Sequence, residues 1–144
     1  MTLATAESCT GGLIGHRLTQ ISGSSLYFKE GFLVYSNEAK ISRLGVKQQT
    51  LMDYGAVSEP VARSMAEGVC RVTKADIGIS VTGIAGPTGG TDKKPVGLTY
   101  IAICDENGTW CRKFIYTHDR IKNKERAAQT ALNLLRLRLL GLLK

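Results

Sequence analysis

A short apolar run that breaks into serine, threonine and glycine within the first twelve residues is what most constrains this 144-residue chain. Residues 2–6 fit a short strand. After Ala6-Glu7-Ser8-Cys9-Thr10-Gly11-Gly12, apolar residues recur at Leu13, Ile14 and Leu18, a helical spacing. A strand turning directly into a helix commits the chain to an α/β unit. Such a turn aims backbone N–H groups and the positive end of the helix at one spot, where an anion or a developing oxyanion is stabilised. Ser8 stands at that corner. Ser8, Cys9 or Thr10 is expected to cap the helix, which closes before Gly23.

The pattern of strand followed by helix continues. Phe32-Leu33-Val34-Tyr35 ends a second strand beginning at Phe28, and Asn37 is a suitable cap for a helical turn through Lys40 and Ile41. Residues 46–54 read as a short helix closed by Gly55. Ser58-Glu59-Pro60 starts another, with Val61, Met65, Val69 and Val72 on one face, ending near Thr73. Ile77, Ile79 and Val81 alternate with Gly78, Ser80 and Thr82, so the second face of that strand admits close packing. Residues 83–90 carry four glycines and form a loop. Residues 96–104 and 109–116 make a hairpin about Asn107-Gly108. A last helix over residues 119–143 places Ala128, Ala131, Leu132, Leu135, Leu139 and Leu142 on one face and further leucines around its end, which is expected to bury against a second copy of the chain. Five strands with helices between the early ones predict a three-layer α/β/α sandwich with a mixed, mainly parallel five-stranded sheet.

Composition narrows the function classes. A chain this long buries roughly two-thirds of its unfolded surface as one domain. The formal net charge of +7 favours anionic partners. The basic residues are scattered, however, and aromatics make up only 6%, so a nucleic-acid stripe is not expected. Four cysteines and two histidines show no metal-ligand spacing, and no metal or cofactor is expected. No apolar run reaches membrane-spanning length and no secretory signal is visible; we expect a cytoplasmic protein with free thiols, although Cys104 and Cys111 would lie close across the hairpin.

In an open α/β sheet, the loops after parallel strands gather at the carboxyl edge, where ligands bind. Residues 8–12, 35–40 and 82–90 should therefore converge. Ser8 is either a helix cap or a nucleophile. If a nucleophile, it needs a base, and Lys40, near a helical first turn and open to desolvation, is the better candidate than His16 or His118. Tyr35 is either a packing aromatic or a member of the site. The loop containing Gly83 and Gly86 matches neither a P-loop nor GxGxxG, yet it can bring N–H groups to a phosphate. Cys9 is either a second nucleophile or a buried structural thiol.

Four segments in order then carry a resemblance: Ala6-Glu7-Ser8-Cys9-Thr10-Gly11-Gly12; Tyr35-Ser36-Asn37-Glu38-Ala39-Lys40 with Leu44-Gly45-Val46; Gly55-Ala56-Val57-Ser58; and Val81-Thr82-Gly83-Ile84-Ala85-Gly86-Pro87 with Lys94-Pro95-Val96-Gly97. Together they resemble the C-terminal domain family of the competence/damage-inducible protein CinA over nearly the whole chain, 1–144 as a single domain. The resemblance implies a nicotinamide-nucleotide amidohydrolase that needs no metal. Ser8 would be the nucleophile, Lys40 the base and Tyr35 a third catalytic residue. Thr82 would lie in the site. For such a reaction on a small nucleotide substrate we expect N–H groups near Thr10 and Gly11 to hold the oxyanion, and the loop with Gly83 and Gly86, or Arg120, to take the phosphate. The resemblance also implies a helix ahead of the first strand, where this sequence opens at Met1-Thr2-Leu3; a homo-oligomer is expected from the leucines around the end of the last helix. Where the family reads Gly-Asp-Arg with an arginine four residues on, this chain has His118-Asp119-Arg120 and Lys124. Lysine offers a point charge there instead of a bidentate fork. The alternative is a non-catalytic module that binds a nucleotide or acts in a larger, competence- or DNA-damage-associated complex.

Overall fold

In the computed structural model, which describes residues 1–143, β1 (Leu3–Glu7) runs into α1 (Leu13–Thr19), and a short 3-10 turn leads to β2 (Phe28–Leu33). Three helices follow in a row: α2 (Asn37–Leu44), α3 (Gln48–Tyr54) and α4 (Glu59–Thr73). Then come β3 (Ile77–Gly83), β4 (Leu98–Asp105), β5 (Gly108–Ile115) and α5 (Arg120–Leu139). The strands form one sheet in the order β2-β1-β3-β4-β5. β1 pairs parallel with β2 and with β3, while β4 pairs antiparallel with β3 and β5, so β4 alone runs against the rest. This is the mixed, mainly parallel sheet that the order of elements predicts.

Side-chain alternation sorts the helices into layers. Ile77, Ile79 and Val81 of β3, with Ile101 and Ile103 of β4, pack against Ile14 and Leu18 of α1 and against Ala127, Ala128, Ala131 and Leu134 of α5. The other face buries Ala4 and Ala6 of β1 under Leu44 of α2, Leu51 of α3 and Val61, Met65 and Val69 of α4. Each valine, leucine, isoleucine or methionine among them contributes about 1.5–3 kcal/mol when fully buried. The small residues on the second face of β3 have the use expected of them. A Cβ on Gly78 would stand 2.5 Å from the Ala66 carbonyl oxygen, and the Ser80 hydroxyl donates to the carbonyl of Ala62, so α4 lies directly on the strand.

Several boundaries differ from the sequence reading, each for a physical reason. Gly12, in the left-handed region at φ 97, precedes α1, so none of Ser8, Cys9 or Thr10 is its cap. Ser36, not Asn37, caps α2, its Oγ accepting from the Ala39 N–H at 3.1 Å. Asp105 pairs with Gly108, which moves the hairpin turn one residue back to Glu106-Asn107. In that register Cys104 faces Thr109 and Cys111 faces Ala102, and the four cysteines are free. The terminal helix stops at Leu139, short of the expected residue 143, and buries Ala127, Ala128, Ala131, Leu134 and Leu135, while Leu139, Leu140 and Leu142 are exposed. Gly141, at φ 70, turns the chain after the helix.

Candidate active site

The corner after β1 is built by the residue before the serine. Glu7 ends the strand with its carboxylate buried, and that carboxylate accepts the Thr10 hydroxyl at 2.6 Å and the N–H groups of Ile14 and Gly15 at 2.9 and 3.0 Å. Two of the orphan donors at the start of α1 are thus satisfied from the sheet, and the negative charge sits at the positive end of the helix. The backbone stays in register through the turn: Val34 N–H donates to the Glu7 carbonyl at 2.9 Å and Ser8 N–H to the Val81 carbonyl at 3.0 Å. Ser8 is therefore held between two neighbouring strands. Sequence reasoning missed Glu7, whose part in the corner shows only once α1 begins at Leu13 with its N–H groups facing the strand end.

Opposite Ser8 stands Lys40, brought in by the first turn of α2. Its side chain is 1% exposed, and its Nζ lies 3.1 Å from Ser8 Oγ, 3.0 Å from the Val34 carbonyl oxygen and 3.1 Å from the Tyr35 carbonyl oxygen. Burial pushes the ammonium below its ordinary value of 10.5, with the nearby Cys9 thiol pulling weakly the other way. A lysine kept from water with one serine hydroxyl and two carbonyls around it has the geometry of a base for that hydroxyl. Cys9, the other nucleophile considered, is unsuited to the role, because burial pushes its thiol up to about 12.

Around this pair lies a cleft of about 190 Å³, walled by Ser8, Lys40, Thr82, Gly83 and Val57, with Tyr35 and Arg120 at its mouth. The Tyr35 ring is exposed, and its hydroxyl accepts from Arg120 Nη2 at 3.4 Å. Arg120 also donates through Nη1 to the Gly86 carbonyl at 2.7 Å, which ties α5 to the glycine loop. Asn123 strengthens that tie: it is buried, donates to the Ala85 carbonyl at 3.0 Å and accepts the His118 N–H at 3.1 Å. No sequence pattern marks Asn123, since both its partners are main-chain groups. Thr82 reaches the cleft wall while its hydroxyl donates to the Ala56 carbonyl at 2.9 Å.

Two expected contacts point elsewhere. The Gly11 N–H is donated to the Ser8 carbonyl at 3.1 Å, and the Thr10 hydroxyl is turned to Glu7. Both residues line a separate hollow with His16, Ile121 and Lys124, where the Lys124 ammonium lies above Gly11. Ser8, Tyr35, Lys40, Thr82, Gly83 and Arg120 meet in one cleft, Gly86 touches it through Arg120, and Thr10 and Gly11 lie beside it.

Fold and site together define an α/β protein with a buried serine–lysine pair at the carboxyl edge of its sheet. Comparison with known proteins names the group more closely. The chain belongs to the CinA C-terminal domain family, whose model matches residues 1–139. It is 54% identical over 140 residues to a CinA-like protein of Chloroherpeton thalassium, covering 94% of this chain and 33% of that protein. A CinA-like protein of Kosmotoga olearia is 50% identical, over 99% of this chain and 34% of its own length. The chain thus spans about a third of the length of the curated relatives it matches. Among solved structures, the competence/damage inducible protein CihA of Agrobacterium tumefaciens superposes with a TM-score of 0.92 at 43% identity, over 94% of this chain and 83% of that one. A CinA superfamily protein of Escherichia coli gives 0.91 at 36% identity, over 95% and 80% of the two chains.

Proposed function

We propose that this domain hydrolyses the carboxamide of nicotinamide mononucleotide, releasing ammonia and nicotinate mononucleotide, with Ser8 as nucleophile and Lys40 as base. The observation that carries the reading is the 3.1 Å separation of Lys40 Nζ and Ser8 Oγ at a lysine that burial biases toward its neutral form. Neutral Lys40 takes the Ser8 proton as Oγ attacks the amide carbon. The resulting ammonium stands beside the tetrahedral oxyanion and then returns the proton to the leaving nitrogen, so ammonia departs and an acyl-serine remains. Water, deprotonated by the same lysine, releases the acid. Tyr35 assists by holding the Lys40 Nζ with its carbonyl oxygen, its phenol standing at the cleft mouth.

The size of the cleft favours a division of the substrate. About 190 Å³ suits the carboxamide-bearing ring better than a whole nucleotide, so the ribose and phosphate would lie on the open rim, where Arg120 supplies positive charge. The test is ammonia release from nicotinamide mononucleotide by the chain and by its Ser8→Ala and Lys40→Ala variants. The reading expects turnover in the parent and none above background in either folded variant. Full activity in either variant removes that residue from the chemistry, and a folded parent without turnover would favour a nucleotide-binding module instead.

A further inference from the structure

At the edge of the sheet away from Ser8, a second group of reactive side chains meets. β3 and β4 are antiparallel, so the pair Gly83 and Thr99 borders the cleft and the pair Gly78 and Cys104 lies at the far end of the same ladder. Cys70, in the last turns of α4, sits over that far pair. Its sulfur would be 2.7 Å from a Cβ on Gly78 and is 3.7 Å from the Cys104 carbonyl oxygen. Cys104 packs on the same side of the sheet, with Ala62, Ala66 and Ala102 under α4. Both cysteines are partly exposed.

We propose that Cys70 and Cys104 are an oxidation site, forming a reversible disulfide between α4 and β4 on reaction with a hydroperoxide. Glycine at position 78 leaves room for the Cys70 sulfur against β3, directly across from the position that carries Cys104. The roles of the two sulfurs differ. The mutual influence of the two neighbouring thiols holds Cys104 below the ordinary thiol range and Cys70 above it. Glu67, Asp105 and Asp76 face the pair and oppose ionisation, and Arg138 takes up part of the Asp105 charge at 2.6 Å.

The balance is that of a two-electron oxidation. The Cys104 thiolate attacks one peroxide oxygen, the O–O bond breaks, and the sulfur becomes a sulfenic acid while the other oxygen leaves as hydroxide or alkoxide and is protonated. Cys70 then attacks that sulfur. The S–S bond forms, the S–O bond breaks, and the hydroxide leaves as water with the Cys70 proton. A thiol reductant reverses the reaction. The other two cysteines are internal controls, because burial pushes Cys9 up to about 12 and Cys111 up to about 11.

Peptide mass spectrometry of the folded chain after hydrogen peroxide at neutral pH tests this. The expected product is an intramolecular Cys70–Cys104 disulfide, recognised by the loss of two hydrogens and restored by dithiothreitol. Iodoacetamide should label Cys104 at least about tenfold faster than Cys9. In Cys70→Ser, dimedone should trap a sulfenic acid on Cys104. Oxidation at Cys9 or Cys111 first, over-oxidation of Cys104 beside a reduced Cys70 in the parent chain, or no oxidation under these conditions overturns the proposal.

Discussion

The inner wall of the cleft and its rim are made of similar residues under opposite constraints. On the wall, Lys40 is 1% exposed and makes three hydrogen bonds, and Ser8 hangs from a backbone pinned to the strands on both sides. On the rim, Arg120 is exposed and so is Tyr35, at 63%, and they share one long contact of 3.4 Å. A cation kept from water loses hydration that only its partners replace, so its position and protonation are set by the fold. The rim cation keeps part of its water, with one guanidinium nitrogen on the Gly86 carbonyl and the other only loosely on Tyr35. The wall is suited to chemistry that tolerates no displacement, the rim to holding a substrate that must come and go.

Substitution of Lys40 by methionine should separate the two regions most sharply. Turnover is expected to fall by about a thousandfold, within the range removed with a general base. In the parent, the rate should rise with pH through a value below 10.5, because only neutral Lys40 accepts the Ser8 proton. The same shift fixes a stability dependence. With its folded-state pKa below the unfolded value, Lys40 binds fewer protons in the folded chain. It therefore costs stability below the folded pKa, and that cost is relieved as pH rises toward 10.5. Denaturant titrations at neutral and alkaline pH should show the parent gaining on Lys40→Met as pH rises. Parallel pH dependences in the two proteins would mean that the lysine is solvated in the folded state.

Glu7→Gln tests the wall through a residue that never meets the cleft. The amide keeps one acceptor for Thr10 and Ile14 but presents N–H groups to the Gly15 N–H, leaving a buried donor unsatisfied at a cost of about 1–3 kcal/mol. Because the corner carries Ser8, kcat should drop between about ten- and a hundredfold, the scale of a misplaced reacting group, with KM nearly unchanged. A variant with lower stability but parental kcat would show that the turn keeps its shape without the carboxylate.

These two residues also show what could be read from the sequence. Ser8 and Lys40 follow β1 and β2, and the convergence of loops at the carboxyl edge of a parallel sheet brings them to one place before any distance is known. The alternation of β3 was legible too, and with it the close seat of α4. Glu7 was not, because a glutamate beside a serine reads as a surface residue until α1 is seen to begin at Leu13 with unsatisfied N–H groups pointing back at the strand. Asn123 was harder still, since Ala85 receives it through a main-chain oxygen, which has no signature of residue type. The end of α5 was misplaced because leucines continue past Leu139 while the helix does not.

The smallest expected effect lies on the rim. Arg120→Ala removes a cation that stands at the cleft mouth and ties it to Gly86, while Asn123 still holds Ala85. If the rim only receives the phosphate end of the substrate, the loss should be near 1 kcal/mol, the scale of a solvent-screened ionic contact, and appear as a KM raised about fivefold at unchanged kcat. High salt should raise the parental KM toward that of the variant, since exposed charge is screened within about 10 Å at 0.1 M ionic strength. A fall in kcat equal to the fall in kcat/KM would contradict the division between wall and rim. It would place Arg120 in contact with the reacting group and require the cleft to close over the substrate before the Ser8 attack.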